Sequence, residues 1–311
     1  MNSRRLAFID IGTNTILCLI AELKNNGGVD VLDDLADITR LGQGVHQTGC
    51  ISSEGEARSL QVLQHYVERC KRLRVDQITA VGTSALRDAQ NSAEVRARFK
   101  EQLGLDVRVI TGEEEAAYAF LAVQKGLTLA AQELLVVDVG GGSTEFIRGN
   151  QAGVSQAVSI DIGSVRLTEQ FLYSDPVREA EWEKMIVAIE GELARLPHQW
   201  RRNGSAVTLV GIAGTFTTLS AIEKGLTHYS HGEVHGSPLT LSEVRRQVAL
   251  FQGKTIAQRK VIPGLEPKRA DVILAGACLI ERIMILLQSE RAIVSDQGVR
   301  YGLLYECLKS C

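Results

Sequence analysis

The chain has 311 residues, enough for two domains, and its 45% hydrophobic and 23% charged residues are ordinary for a globular protein. Its net charge of −3 excludes a general basic field of the kind that holds nucleic acid or an anionic membrane, so neither is expected as a partner. The N-terminal apolar run stops at Asp10, too early for a signal-peptide core, and no run approaches the ~20 residues of a membrane span. We therefore expect a cytoplasmic protein.

The six cysteines are scattered without a CxxC pair, which argues against a zinc site and against a disulfide framework. We expect reduced thiols, as in cytosolic proteins. They are Cys18, Cys50, Cys70, Cys278, Cys307 and Cys311.

The hydrophobic pattern predicts strands that alternate with helices in both halves of the chain, which indicates an α/β fold. In the first half we predict strands at 6–9, 16–23, 77–81 and 107–110, with helices at 93–103 and from Thr111 to about 124. A further helix opens at 53 with a Ser53–Glu56 capping box. In the second half we predict strands at 134–139, 145–148, 155–160, 207–211 and 292–295, and helices at 164–172, 176–196, 215–223, 241–251, 268–288 and 297–308.

Two stretches of the sequence repeat one another. AFIDIGTNT (7–15) and VVDVGGGST (136–144) both read as an apolar strand, an aspartate, an aliphatic residue, a glycine, small residues and a hydroxyl. Their separation is too long for a solenoid repeat and suits a duplicated domain, with one turn facing the other across a cleft. SIDIGSVRLTE (159–169) opens similarly, but a helical pattern follows its glycine, so we interpret it as a different junction.

Both repeated turns are candidates for phosphate binding, because small residues at a strand–turn–strand tip let backbone N–H groups converge on an anion. A strand follows each turn and there is no Walker lysine, so neither turn is a P-loop or a Rossmann turn. The alternative is a pair of tight hairpins with solvent-facing acids. The candidate phosphate-binding residues are Gly12, Thr13, Asn14, Thr15, Gly140, Gly141, Gly142, Ser143 and Thr144.

An aspartate beside each turn, Asp10 and Asp138, would repel a phosphate unless a cation lay between them. Mg²⁺ prefers a few carboxylates together with water and substrate oxygens, so a magnesium site is predicted, with Mn²⁺ as an alternative. Glu145 is a further candidate ligand.

The segment TGEEEAAYAF (111–120) carries the candidate catalytic acid. Thr111 and Glu114 form a capping box, and Glu113 suits the positive helix terminus. Glu115 is left over on a different face, where a carboxylate could orient or deprotonate a water for attack on phosphorus. The alternative is that Glu115 also serves only the helix terminus.

Basic residues stand singly among small residues, at Arg87, Arg166, Arg269 and Arg300. Arginine matches phosphate oxygens bidentately, but for any one of these residues taken alone a helix-surface or interdomain ion pair is the better interpretation. Gly214 and Thr215 lie in a strand–turn–helix, GIAGTFTTL, whose backbone could approach a phosphate or only pack closely. The two histidines of HGEVHG (231–236) are flanked by glycines, so a loop is expected rather than a zinc-binding helix.

Together these motifs resemble the exopolyphosphatase and guanosine pentaphosphate phosphatase family along nearly the whole chain. The stretches that carry the resemblance are DIGTNT, GTSALRDA, TGEEEA, VVDVGGGSTE, GSVRLTE, HGSPL, KRADVILAGA and VSDQGVRYGLL, in that order.

The resemblance implies a duplicated actin-like, ribonuclease-H-like fold with the active site in a cleft between two lobes. These would be 1–124, completed by a helix at 297–311, and 125–296. It also implies Mg²⁺-dependent release of the terminal phosphate from polyphosphate or guanosine pentaphosphate. Glu115 corresponds to the catalytic glutamate, Arg87 and Arg269 to family arginines, and Asp10, Asp138 and Glu145 to the metal or phosphate acids. A homodimer would be in keeping with the family.

Three departures from the family pattern stand out. Leu17 and Cys18 follow DIGTNT where a basic residue is common, the turn at 211–214 is poorer in glycine, and Asp161 replaces an apolar or small residue. The chain also lacks the motifs of a C-terminal HD-type domain, so a short two-lobe form is expected. Two other functions stay open: an ATP-dependent small-molecule kinase of the same fold, and a non-catalytic sensor of guanosine tetraphosphate or polyphosphate.

Overall fold

A computed structural model describes residues 4–24, 27–129, 133–200 and 207–309. The chain forms two compact units. The first comprises Met1–Tyr118 together with Val299–Cys311, and the second comprises Ala119–Gly298. The chain therefore passes from the first unit to the second inside a helix, and returns just before the last helix.

The first unit begins with three strands and continues with alternating helices and strands. They are β1 (Arg4–Ile11), β2 (Thr15–Leu23), β3 (Val29–Ile38), α1 (Val45–Thr48), α2 (Ser53–Arg72), β4 (Gln77–Gly82), α3 (Ser84–Asp88), α4 (Ser92–Leu103), β5 (Val107–Val109) and α5 (Gly112–Gly126). Helix α5 runs on into the second unit.

The second unit repeats this plan with additional helices. Its elements are β6 (Glu133–Val139), β7 (Thr144–Asn150), β8 (Gly153–Ile160), α6 (Ser164–Phe171), α7 (Glu179–Leu193), β9 (Val207–Ile212), α8 (Ala213–Glu223), α9 (His231–Val234), β10 (Pro238–Thr240), α10 (Leu241–Gln252), α11 (Ile256–Arg259), α12 (Ile273–Leu286) and β11 (Arg291–Val294). Short 3₁₀ turns lie at His198–Trp200 and Pro267–Arg269, and α13 (Val299–Lys309) returns to the first unit.

The two sheets share one strand order. The first sheet runs β3-β2-β1-β4-β5, and the second, from its far edge, runs β8-β7-β6-β9-β11 with β10 added outside. In each, the first two pairings are antiparallel and the next two are parallel. The predicted duplicated α/β fold is confirmed.

The core of the first unit follows from period-3.6 patterning on its longest helix. Helix α2 buries Ser59, Leu63, Tyr66 and Cys70 on one face, at spacings of three and four residues. This face covers one side of the sheet, where β1 and β2 contribute fully buried isoleucines.

The predicted cap, Ser53, would place the first residue of helix α2 at position 54, but the helix begins at Ser53 itself. Ser52, in an extended conformation, is the N-cap, and its hydroxyl accepts a hydrogen bond from the Gly55 N–H. Glu56 does not close a capping box; its carboxylate pairs with Arg98 on α4 instead. The prediction of Ser53 as the cap was wrong because two serines stand side by side and only the first has the extended backbone that a cap requires.

Other differences concern lengths and omitted elements. Strand β3 was not predicted, and the helix expected at 268–288 is a 3₁₀ turn followed by α12 from Ile273. Within the predicted HGEVHG loop, His231–Val234 form one helical turn. The helix after Gly163 is present as α6, as expected.

None of the described helices is both long enough and apolar enough to cross a membrane. Cys18, Cys50, Cys70 and Cys278 are free thiols, and Cys311 lies outside the described ranges.

Candidate active site

The two repeated turns have the same backbone geometry. In the first unit the Gly12 N–H donates to the Thr15 carbonyl at 3.1 Å, and in the second the Gly140 N–H donates to the Ser143 carbonyl, also at 3.1 Å. A Cβ on either glycine would lie 3.0 or 3.1 Å from that same carbonyl oxygen. Glycine is favoured here because a side chain would crowd the carbonyl oxygen that the turn brings close to it.

In the second unit, the carbonyls of the turn are taken up by the start of helix α6. The Gly140 carbonyl accepts from the Ser164 N–H at 3.0 Å, and the Gly141 carbonyl accepts from the N–H groups of Val165 and Arg166 at 3.0 and 3.1 Å. A Cβ on Gly163 would lie 2.5 Å from the Gly141 backbone, so the close approach requires glycine there as well.

In the first unit, the carbonyls are taken up by the segment after β3. The Thr13 carbonyl accepts from the Gly42 N–H at 2.9 Å, and the Asn14 carbonyl accepts from the N–H groups of Thr39 and Arg40 at 3.0 Å each. Only the Thr13 and Gly141 carbonyls occupy equivalent positions in the two copies, and different elements satisfy them.

The tips of the two turns also carry backbone N–H groups, and these differ from the carbonyls in having no partner in the described chain. Within the described residues, the N–H groups of Thr13 and Asn14, and those of Gly141 and Gly142, donate to no protein acceptor. Unsatisfied backbone donors grouped in a small-residue turn are the arrangement that binds anions.

Sheet topology explains why chemically active side chains gather in the first unit. Strands β1, β4 and β5 are mutually parallel, so their carboxyl ends lie at one edge of the sheet. Asp10 lies at the end of β1, Arg87 lies on the helix after β4, and Glu115 lies in the first turn of the helix after β5.

Glu115 and Arg87 form a half-buried ion pair. The Arg87 Nη1 donates to the Glu115 Oε2 at 2.9 Å and to the Ile110 carbonyl at 3.2 Å. Burial raises the pKa of Glu115, while the neighbouring Arg87 charge acts to lower it. The predicted capping box of Thr111 and Glu114 is confirmed by reciprocal bonds of 3.0 and 3.1 Å, which separates the roles of the adjacent glutamates.

Asp10 is a second carboxylate of this unit whose pKa is raised. It is only 9% exposed, and its Oδ1 atom has no hydrogen-bond partner within the described chain. Burial, and next the charge of Glu115, raise its pKa to about 7, against a lowering effect of Arg300. Glu115 and Asp10 therefore share one electrostatic environment.

In the second unit, the strand register brings Asp138 directly opposite Glu145 on β7. Glu145 is buried, and its Oε1 accepts from the Ser159 hydroxyl at 2.9 Å. In the first unit, the position opposite Asp10 is held by Leu17. The second unit therefore has an acid, Glu145, opposite its aspartate, whereas the first unit has an apolar residue at the equivalent position.

Arg269 lies over the start of helix α8. A Cβ on Gly214 would lie 2.2 Å from the Arg269 Nη1, so the guanidinium occupies the space that any other residue at 214 would fill. Burial lowers the pKa of Arg269. The Thr215 side chain packs against Gly276 inside the unit.

The described residues contain no cluster of three or more histidine, cysteine, aspartate or glutamate side chains arranged to hold a metal. Two buried oxygens, Asp10 Oδ1 and Asn14 Oδ1, nevertheless have no hydrogen-bond partner in the described chain. Both belong to the first turn and both are hard ligands. A site with only a few protein carboxylates and some unsatisfied oxygens fits Mg²⁺, because this ion retains water and substrate oxygens as ligands.

The first unit contains a buried ion pair that no sequence motif indicated. Arg300 donates to both carboxylate oxygens of Asp34, at 2.7 and 3.0 Å, and the Tyr301 hydroxyl donates to the same group at 2.8 Å. Both charged side chains are only 6% exposed. The mixture of aliphatic and acidic residues in VDVLDDLADI would have identified strand β3, but it could not have identified Arg300 on α13 as the partner of Asp34.

Comparison with known proteins agrees with the motif order along the chain. A family model described as the Ppx/GppA phosphatase family matches residues 19–311. The chain is 36% identical to exopolyphosphatase 2 of Mycobacterium tuberculosis over 96% of this chain and 97% of that protein. Among solved structures, the family member from Aquifex aeolicus superposes with a TM-score of 0.81 at 36% identity, covering 99% of each chain.

A second solved structure, an exopolyphosphatase from Cytophaga hutchinsonii, superposes with a TM-score of 0.89 at 30% identity, covering 99% of this chain and 98% of that one. Since the family model covers most of the chain and these similarities extend over its whole length, the protein belongs to the Ppx/GppA phosphatase family and is a phosphohydrolase.

Proposed function

We propose that the protein releases the terminal phosphate from inorganic polyphosphate or guanosine pentaphosphate by in-line attack of water. The observation that supports this proposal is the repeated turn: in each unit, carbonyls of the turn are satisfied from one side, while the tip N–H groups have no acceptor in the part of the chain that the structure describes. Two such turns suit a ligand with several phosphate groups, since each can hold a separate set of anionic oxygens.

In this mechanism Glu115 is the general base. It takes a proton from the attacking water as the water oxygen bonds to the terminal phosphorus, and the bridging P–O bond breaks to leave a chain shorter by one phosphate. Burial raises the pKa of Glu115, which strengthens it as a base, and the 2.9 Å bond from Arg87 orients it. General-base catalysis contributes ~10²–10⁴-fold to a rate.

Arg87 and Arg269 supply positive charge, one in each unit. Arginine stabilises charge on phosphoryl oxygens, and a buried guanidinium does so more strongly because less water screens it. Arg269 is held against the backbone of Gly214. Since α8 begins at Ala213, the positive end of the helix dipole lies beside the same guanidinium.

Asp10 in the first unit, and Asp138 with Glu145 in the second, are the proposed Mg²⁺ ligands, with Mn²⁺ as a substitute. The unsatisfied Oδ1 of Asp10 supports this assignment. A bound divalent ion would neutralise phosphate charge beside these acids.

The test measures phosphate release from polyphosphate and from guanosine pentaphosphate side by side, each with and without chelator. We expect release from at least one substrate and its loss on chelation. A parallel incubation with ATP and candidate acceptors distinguishes a kinase, which would transfer phosphate only with the acceptor present. Tight substrate binding without any release would contradict the proposal and indicate a sensor.

A further inference from the structure

Arg259, at the last position of helix α11, is an arginine buried in the interior of the second unit. It is 1% exposed. Its Nε donates to the Phe251 carbonyl at 2.9 Å, and its Nη1 donates to the Ala270 carbonyl at 3.3 Å. Its Nη2 has no partner within the described residues. Burial lowers the pKa of its guanidinium.

The two acceptors lie on separate segments. Phe251 is in the last turn of α10, and Ala270 caps the 3₁₀ turn Pro267–Arg269. Arg259 therefore ties the carbonyl of Ala270, the residue after Arg269, to the last turn of α10. Planar guanidinium donors have a fixed spacing, so this link fixes direction as well as distance.

The peptide that Arg259 holds, 270–271, lies one residue beyond the Cα from which the Arg269 side chain departs. That side chain lies against Gly214, where a Cβ would be 2.5 Å from the Arg269 Cζ. A shift of the 270–271 peptide would move the adjoining Arg269 Cα, and with it the guanidinium, relative to the start of α8. The bond from the Arg269 N–H to the Glu266 carbonyl, at 2.8 Å, closes the turn but ties it only to itself.

Stability alone does not account for an arginine at 259. Within the described chain it forms no ion pair, and one of its nitrogens is unsatisfied. Its hydrogen bonds go only to carbonyls, and although the charges of Asp175 and Asp271 favour its ionised form, burial has the larger effect. The buried cation therefore costs desolvation energy that an apolar side chain of similar size would avoid. What an apolar side chain cannot supply is the directional bond to Ala270.

We propose that Arg259 is a positioning residue that holds the Arg269 guanidinium over Gly214, in the orientation that contacts the phosphate groups. This inference rests on the proposed function, in which Arg269 stabilises phosphate charge. It adds a residue that does not itself reach the substrate.

The test is a double-mutant cycle of Arg259→Met and Arg269→Met, read in kcat/KM for phosphate release and in melting temperature. We expect each single change to lower kcat/KM by ~30-fold or more, and the double variant to lie within ~3-fold of Arg269→Met. The loss of melting temperature caused by Arg259→Met should be the same in both backgrounds. Val248→Ala, a buried change on α10, is the control, and it should lower the melting temperature without lowering kcat/KM at 25 °C.

Two results would overturn the inference. In the first, the fold-losses of kcat/KM caused by Arg259→Met and Arg269→Met multiply in the double variant, which would show that the two residues act independently. In the second, Arg259→Met leaves kcat/KM unchanged, or Arg269→Met does so while the unmodified protein releases phosphate. Absence of release from the unmodified protein would instead contradict the proposed function.

A structural readout keeps the test independent of turnover. A crystal structure of Arg259→Met should show the Arg269 guanidinium displaced from Gly214, and an unmoved guanidinium would refute the positioning role. If the methionine variant does not fold, Arg259→Lys serves in its place. It retains the charge and can donate to one of the two carbonyls, so its loss of kcat/KM should be intermediate.

Discussion

The Arg87 guanidinium donates to the carboxylate of Glu115 across 2.9 Å, and the same nitrogen donates to the Ile110 carbonyl. The arginine thus joins the helix after β4 to the end of β5 at the point where α5 begins. Burial and the arginine act in opposite directions on the pKa of Glu115, and burial has the larger effect. This balance suits a base that must be ionised at rest and accept a proton during the reaction.

Glu115→Gln should therefore leave the fold intact and lower the rate of phosphate release at least ~100-fold, because an amide cannot accept the water proton. The matched control is Glu113→Gln, two residues earlier on an exposed position of the same helix. It should retain nearly full activity. Near-normal turnover by Glu115→Gln, or equal losses in both variants, would refute the assignment of the base.

Arg87→Met should shift the acid limb of the kcat profile to higher pH. The rate requires an ionised Glu115 and falls below its pKa; since Arg87 lowers that pKa, removing the charge raises it. Arg87→Lys retains a charge and should shift the limb less. A profile whose amplitude falls while its acid limb stays in place would show that Arg87 does not control the ionisation of Glu115.

The sequence was sufficient to predict the repeated turns and the two aspartates at the carboxyl ends of the strands, because both follow from local patterns. Asp10 and Asp138 each end an apolar strand and precede a turn that needs glycine, and parallel pairing then fixes their edge of the sheet. Glu115 was separable from Glu114 because a capping box accounts for only one of them.

Long-range partners could not be predicted in the same way. Asp34 and Arg300 are far apart in sequence and meet only because α13 returns to the first unit. Arg259 gave no local signal either, since its acceptors are backbone carbonyls, which every residue possesses. The packing of Thr215 against Gly276 likewise depends on α12, which lies far along the chain.

Gly214→Ala should lower kcat/KM for phosphate release by ~10-fold or more, because the added methyl group and the Arg269 guanidinium cannot occupy the same space. The control is Gly191→Ala, in the interior of α7, where an added Cβ meets nothing within 4 Å. That change should leave activity intact and stabilise the protein by ~0.5–1 kcal/mol, since alanine favours helix over glycine. Equal activity in the two variants would contradict the placement of Arg269.

Asp10→Asn should stabilise the protein against unfolding at pH 8 in the presence of chelator. The folded-state pKa of Asp10 is about 7, above its ordinary value of 3.8. Between these two pH values the folded chain binds one proton more than the unfolded chain, so stability falls as pH rises through this window. Asparagine has no such charge to bury. The advantage of the variant should therefore be near zero at pH 4 and reach at most ~4 kcal/mol above pH 7.

Urea unfolding at several pH values in chelator measures this difference, with the exposed Asp161→Asn as the control, which should follow the unmodified protein throughout. Nothing in the structure explains Asp161 itself, which makes it a suitable reference carboxylate. Adding Mg²⁺ at pH 8 should then stabilise the unmodified protein more than Asp10→Asn, because a cation beside Asp10 favours the ionised form. A stability advantage of Asp10→Asn that is constant from pH 4 to pH 8 would show that ionisation of the buried carboxylate is not its source. An equal stabilisation of both proteins by Mg²⁺ would remove Asp10 from the proposed ligands.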